Sequence, residues 1–230
     1  MMINSPYQRA RRLFAASMLS LGLAGCSATG EGLRTAGFNG LPSSGVTHYA
    51  ALTAEKFPVE AVDTSRVDPQ FLQQVVDYRS PHPPGTVVVD PHRRYLYLVQ
   101  KGNKAIRYGV GVGREGLAFA GSGTVQEKKQ WPHWTPTSAM VERDPKRYAK
   151  WAQGMEGGAG NPLGARALYL FRDGKDTRYR IHGTTEPDSI GKAVSSGCIR
   201  MMNQDVIDLY ARVPLGAKVV VLQALKPGLR

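Results

Sequence analysis

Two short apolar runs, Thr86-Val87-Val88-Val89-Asp90 and Tyr95-Leu96-Tyr97-Leu98-Val99, stand either side of Pro91-His92-Arg93. Both are rich in β-branched and aromatic residues and too short for helices, so they read as two strands joined by a turn. Lys101-Gly102-Asn103 is the next turn, and residues 105–112 the next strand. Arg166-Ala167-Leu168-Tyr169-Leu170-Phe171 and Arg178-Tyr179-Arg180-Ile181 form a second pair around Asp173-Gly174-Lys175, and residues 217–222 a last strand. Helical signals are brief. Asp68-Pro69 has the form of an N-cap and first helical residue, with Phe71, Leu72, Val75 and Val76 on one face. Residues 138–152 have helical tendency, interrupted at Pro145. Asn203 is expected to cap a later helix that buries Val206, Ile207, Leu209, Tyr210 and Val213 and stops at Pro214 and Gly216. This order predicts a mainly β fold with short helices, a small sandwich or barrel with its site at one edge.

The 230 residues suffice for one domain with a core plus an appendage. Arg9, Arg11 and Arg12 precede an apolar run over residues 13–24, too short to span a bilayer, that ends in Leu23-Ala24-Gly25-Cys26. The pattern reads as an export signal over residues 1–25, and the tetrapeptide resembles the bacterial lipoprotein processing box, which marks Cys26 for lipidation. By the same resemblance, Ser27 favours the outer membrane over the inner. Residues 26–54, rich in Gly, Ser, Thr and Ala, are expected to be a flexible tether, and residues 55–85 an extension with a short helix. Removing residues 1–25 leaves 27 basic and 18 acidic side chains, a net charge of +9. Such a balance fits a solvated surface or an anionic partner, but no basic run with interleaved aromatics and no nucleic-acid-binding motif accompanies it. Nucleic acid is therefore not expected as a partner.

After processing at Cys26 the one thiol that could act in a soluble domain is Cys198. Ser195-Ser196-Gly197 precedes it with small residues that allow a tight turn and the approach of another molecule. His182 lies upstream at the end of a strand-like run, with fifteen residues between it and the cysteine. A free thiol ionises near about pH 8.5, so a nucleophilic cysteine needs an acceptor for its proton, and an imidazole can take that proton and return it to a leaving amine. The N–H groups of Gly197 and Cys198 could form an oxyanion hole. Taken separately, a lone Cys and a lone His are more often structural. His182 and Glu186 lie four residues apart without an obvious third ligand, so no metal is expected. Gly109-Val110-Gly111-Val112-Gly113 lacks the helix and acidic residue of a dinucleotide fingerprint, and no cofactor is expected. Trp131-Pro132-His133-Trp134-Thr135-Pro136-Thr137 either lines a pocket or caps the core, and a loop with five glycines over residues 154–164 carries Asn161.

His182-Gly183-Thr184 together with Ser196-Gly197-Cys198-Ile199-Arg200 resembles the signature of the YkuD-like L,D-transpeptidase catalytic domain, over roughly residues 86–223, with residues 224–230 as a tail. The subgroup it is most similar to is that of the ErfK, YbiS, YcfS and YnhG proteins. One departure is Ser196, where many members carry a second histidine. The resemblance implies a YkuD-like β-sandwich or barrel and a cysteine acyltransferase acting on peptidoglycan tetrapeptide stems. In that scheme Cys198 is the nucleophile, His182 the proton donor and acceptor, the Gly183 carbonyl the group orienting His182, and Gly197 an oxyanion N–H. Arg200, Ser196, Ser195, Trp134, Thr135 and Asn161 are the candidate substrate contacts, Arg200 serving either a substrate carboxylate or the rigidity of its loop. The implied acceptor is an amine of another stem or of an envelope protein. Water as acceptor would make a hydrolase, and a non-catalytic wall-binding lipoprotein is the reading from another class.

Overall fold

In the computed structural model, residues 47–113, 120–195 and 197–223 are described. The segments expected as export signal, lipidation site and C-terminal tail lie outside them. Among the described residues there are eleven strands: β1 (Gln74–Asp77), β2 (Val87–Asp90), β3 (Tyr95–Val99), β4 (Lys104–Gly109), β5 (Val112–Gly113), β6 (Gly121–Gln130), β7 (Arg166–Arg172), β8 (Lys175–His182), β9 (Ala193–Ser195), β10 (Ile199–Arg200) and β11 (Lys218–Val221). Three short helices join them: α1 (Ser138–Arg143), α2 (Pro145–Tyr148) and α3 (Asn203–Arg212). Mainly β with short helices is thus what the chain forms.

Nine strands make one sheet in the order β1-β4-β3-β2-β11-β6-β7-β8-β10, and β5 pairs with β9 in a second. The first expected hairpin is β2–β3. Its turn is fixed by Asp90, whose carboxylate accepts from the N–H groups of His92 and Arg93 at 3.0 and 2.9 Å. β2 and β3 show no polar alternation because both their faces are covered. Val87, Val89, Leu96 and Leu98 enter the main core, while Val88, Tyr95, Tyr97 and Val99 pack under Phe71, Val76 and Tyr78. The main core also takes Tyr108 from β4, Leu168 and Leu170 from β7, Ile181 from β8, Ile199 from β10, and Val206 and Leu209 from α3. Each such buried side chain contributes about 1.5–3 kcal/mol. Strands from distant places in the sheet therefore wrap one core. A bridge between Gly111 and Arg200, with N–H···O bonds of 2.9 and 2.8 Å, ties the chain beyond β4 to β10 and brings the sheet round on itself.

Four expectations are corrected. Asp68 does cap and Pro69 does start a helical turn, but the turn is a 3-10 piece ending at Phe71. The chain then extends into β1, which adds to the open side of β4, and Val75 lies exposed rather than on a buried helical face. β-Branched Val75 and Val76 beside an unpaired strand edge outweigh the helical spacing. The strand expected through Val112 ends at Gly109. Asn203 opens α3 without capping it, because its side chain is engaged elsewhere. Finally, the range expected as tether already belongs to the fold from residue 48: Tyr49 is buried, and His48 and Tyr49 both bond the fully buried carboxylate of Asp205 on α3, at 2.8 and 3.0 Å.

Candidate active site

β8 sets the site. Its alternation sends Ile181 into the core and His182 to the other face, next to Ala167 of β7 and Arg200 of β10. The buried imbalance of the ring is settled by one contact: Nδ1 lies 2.6 Å from the Gly183 carbonyl oxygen. A carbonyl only accepts, so Nδ1 carries the proton and Nε2 keeps its lone pair. Burial pushes the His182 pKa down to about 4; the Gly183 carbonyl opposes this, and the charges of Arg200 and Arg180 reinforce it.

The peptide that follows, Thr184–Thr185, is itself held through its carbonyl. Asn203 donates from Nδ2 to the Thr184 carbonyl at 3.1 Å and accepts from Ala165 N–H at 2.9 Å. Its amide occupies space that side chains at Gly164 or Gly183 would fill, since a Cβ on either glycine would come within 2.2 Å of Asn203 Oδ1. Glycine at these two positions is what lets the amide reach the backbone behind the histidine.

β10 runs parallel to β8 with Ile199 opposite Ile181, which places Cys198 alongside Arg180 and one strand away from His182. Gly197 before it has φ +124°, a conformation that side chains rarely adopt and that starts the chain into the motif. The half-buried thiol points at the Arg178 carbonyl, 3.9 Å from Sγ. Burial pushes the Cys198 pKa up, against the pull of the Arg180 and Arg200 charges. At neutral pH the pair is thus a neutral thiol and a neutral imidazole, an arrangement suited to proton transfer on attack rather than to a preformed thiolate.

Cys198 and His182 open into one cleft of about 790 Å³, the size of a pocket for a small peptide. Trp134, Thr135 and Arg200 line it, as do Gly197 and Thr184. Trp134 is largely buried and pairs by backbone with Met155. The Arg200 guanidinium is bound by Glu186 at 3.0 Å, and the same carboxylate reaches Arg147 of α2 at 3.3 Å. Of its two expected roles, rigidity is the one with a partner in place. Ser195 pairs by backbone with Gly113, and Ser196 lies outside the described residues.

Asn161 is a correction. It is buried away from the cleft, donates from Nδ2 to the carbonyls of Pro132, Met155 and Glu156 at 3.0, 3.2 and 3.1 Å, and accepts from Leu163 N–H at 2.9 Å. With its amide spent on backbone, it fastens the glycine loop to the tryptophan segment and has nothing left for a substrate. Sequence reasoning missed the arginines Arg147, Arg178 and Arg180, which line the cleft with Tyr148 and Tyr179. The alternate cations of Arg178-Tyr179-Arg180, leading into His182, were the available signal. Among the described residues no group of three His, Cys, Asp or Glu side chains is arranged to hold a metal.

The chain is similar to the probable L,D-transpeptidase ErfK/SrfK of Escherichia coli K12, at 33% identity over 140 residues, 60% of this chain and 44% of that protein. It is similar to the probable L,D-transpeptidase YbiS of the same organism, at 35% identity over 136 residues, 58% of this chain and 43% of that protein. It thus spans less than half the length of these relatives. A solved Brucella melitensis structure, named as a probable carnitine operon oxidoreductase, is 52% identical and covers 70% of this chain and 99% of that one, with a TM-score of 0.48. That superposition is too loose to support an assignment, and the name differs from those of the other relatives. The model of the YkuD L,D-transpeptidase catalytic domain matches residues 84–221, which is more than half of the chain and includes every residue of the His182 and Cys198 motifs, so the chain belongs to the YkuD L,D-transpeptidase catalytic domain family.

Proposed function

We propose that the protein is an L,D-transpeptidase acting on peptidoglycan tetrapeptide stems. Cys198 Sγ attacks the carbonyl of the L-centre residue that precedes the terminal D-alanine. As the S–C bond forms, the thiol proton passes to His182 Nε2, and the oxyanion is held by the N–H groups of Gly197 and Cys198. The C–N bond then breaks, His182 returns the proton to the amine, and D-alanine leaves a thioester on Cys198. An acceptor amine attacks that thioester, giving its proton to His182 and so back to the thiol. No cofactor takes part in these steps. The acceptor is the amine of a second stem or of an envelope protein.

The observation that carries this reading is the bond from His182 Nδ1 to Gly183, which leaves Nε2 as the free base in the cleft that also holds Cys198. We further propose that the chain is exported, lipidated on Cys26 and held at the outer membrane from the periplasmic side. The signal pattern of residues 1–26 supports this, and labelling with a radioactive fatty acid, lost in Cys26→Ala, tests it. For the reaction, the full chain incubated with a disaccharide-tetrapeptide should yield crosslinked dimer and free D-alanine by mass spectrometry. Tripeptide as the sole product would mean that water is the acceptor. No change that depends on Cys198 would mean a binding protein.

A further inference from the structure

Four arginines line the cleft: Arg147, Arg178, Arg180 and Arg200. Three are held by carboxylates. Arg180 grips Asp176 through two bonds of 2.7 Å, and Arg147 and Arg200 share Glu186. Arg178 is different. Its side chain forms no ion pair and donates no hydrogen bond to the described residues, though its charge helps to hold the Asp176 carboxyl below its usual range.

Its backbone is unusual as well. Arg178 has φ +62°, in the left-handed region that Gly or Asn occupies far more readily. The cause is a bulge in β8. The register passes from Tyr169↔Arg180 to Phe171↔Asp176, so Leu170 of β7 faces three residues of β8. The bulge is pinned on all sides. Thr177 Oγ1 donates to the Leu170 carbonyl at 2.5 Å, Tyr179 N–H donates to Thr177 Oγ1 at 3.2 Å, and Arg178 N–H donates to Asp176 at 2.8 Å. Bulges beside sites re-aim side chains. This one brings the Arg178 carbonyl to the Cys198 thiol and leaves Arg178 as an exposed residue at the wall of the cleft. A strained backbone that holds an unpaired cation beside a nucleophile points to a ligand that completes the pairing.

We infer that Arg178 is a specificity residue that binds a carboxylate of the donor peptide next to the scissile bond. The inference rests on the transpeptidase reading above. Such a donor offers the carboxylate of the leaving terminal D-alanine and, where the residue that acylates Cys198 has an acidic side chain, a second carboxylate beside the bond.

The test uses the full chain and three tetrapeptides: the free acid, the C-terminal amide, and one amidated at that side-chain carboxylate. Release of the terminal residue is followed for the wild type, Arg178→Asn, whose side chain tolerates the left-handed backbone, and Arg178→Lys. Amidating the recognised carboxylate should raise the wild-type KM by about 10–100-fold, the loss expected for a charge-assisted pair. Arg178→Asn should raise KM for the free acid by a similar factor and be nearly indifferent to that same amidation, with Arg178→Lys between the two. The amide whose penalty vanishes identifies which carboxylate is bound. A free-acid KM for Arg178→Asn within about twofold of wild type, or an amide penalty that survives the substitution, overturns the inference. If the wild type releases nothing, the transpeptidase reading fails separately. Calorimetric binding of the free acid to Cys198→Ala still decides the role of Arg178, which requires that adding Arg178→Asn weaken binding at least tenfold.

Discussion

His182 donates from Nδ1 to the carbonyl oxygen of its own neighbour, Gly183, across 2.6 Å. One backbone group thereby fixes both the tautomer and the ring orientation, the part a carboxylate plays in many triads. A carbonyl stabilises an imidazolium less than a carboxylate does, and burial dominates, so the ring stays neutral far below its usual range.

The pH profile should follow. His182 must be neutral to accept a proton and titrates at about 4, so kcat/KM should hold its value down to about pH 5 and fall only below it. Alkylation of Cys198, whose pKa is raised, should keep climbing above pH 8 instead of reaching a plateau in the acid range. Initial rates and iodoacetamide kinetics from pH 4.5 to 9.5 check both. A limb at pH 6.5, or a thiol already reactive at pH 5, would contradict the assignment.

The same shift has a cost in stability. The unfolded chain takes up a proton on this histidine near about pH 6.5, while the folded chain resists until about 4. Stability from the neutral ring is therefore complete above pH 6.5 and is lost as pH falls toward 4, by roughly 2–3 kcal/mol at pH 4.5. Urea unfolding at pH 7.5 and 4.5 should show a loss smaller by about that amount in His182→Gln than in wild type. Equal losses in the two proteins would remove His182 as the source.

Asn203 stands behind the histidine, holding Thr184 and Ala165 by their backbones. Asn203→Ala should free the Thr184 carbonyl, one peptide beyond the Gly183 carbonyl that orients the ring, and leave two buried backbone groups without partners. It should lower kcat about tenfold or more with KM little changed, and cost about 1–3 kcal/mol of stability. Steady-state kinetics beside thermal unfolding separate the two effects. A stability loss with unchanged kcat would make Asn203 purely structural.

Glu55 carries a different load. It accepts from Arg166 at 2.5 Å and from the Trp131 indole at 3.1 Å, joining the N-terminal segment to β7 and to the tryptophan loop. Both partners are buried. Glu55→Ala should leave the Arg166 charge unpaired and destabilise the fold by about 3 kcal/mol or more. Denaturant unfolding, with Trp131→Phe as a control for the indole bond, measures it. A change under about 1 kcal/mol would mean that Arg166 finds another partner or water.

Much of this is legible in the sequence. Val87 to Val89 and Tyr95 to Val99 announced buried strands because a run covered on both faces carries no alternation to confuse. The site motifs were legible for a similar local reason: His182 ends a strand and Cys198 follows Gly197. β6, ten residues long, went unread. Its sequence, Gly-Ser-Gly-Thr-Val-Gln-Glu-Lys-Lys-Gln, is mostly polar, and it is a strand only because β11 and β7 pair with it on either side. Asn161 looked like a loop residue free to meet substrate because nothing local reveals that four backbone groups converge on its amide. Arg178 was hidden by its bulge, since strict alternation would have treated it as equivalent to Arg180.

On the mechanism proposed above, Cys198 forms an acyl-enzyme with His182 as its proton carrier. Intact-protein mass spectrometry of the full chain after brief mixing with a tetrapeptide donor, without acceptor, tests it most directly. The expected result is an adduct with the mass of the tripeptide acyl group and an equal yield of D-alanine. The adduct should be absent in Cys198→Ala and form at least 100-fold more slowly in His182→Gln, in the range of losses seen when a general base is removed. D-Alanine released by Cys198→Ala at the wild-type rate, or an adduct on any other residue, would contradict it.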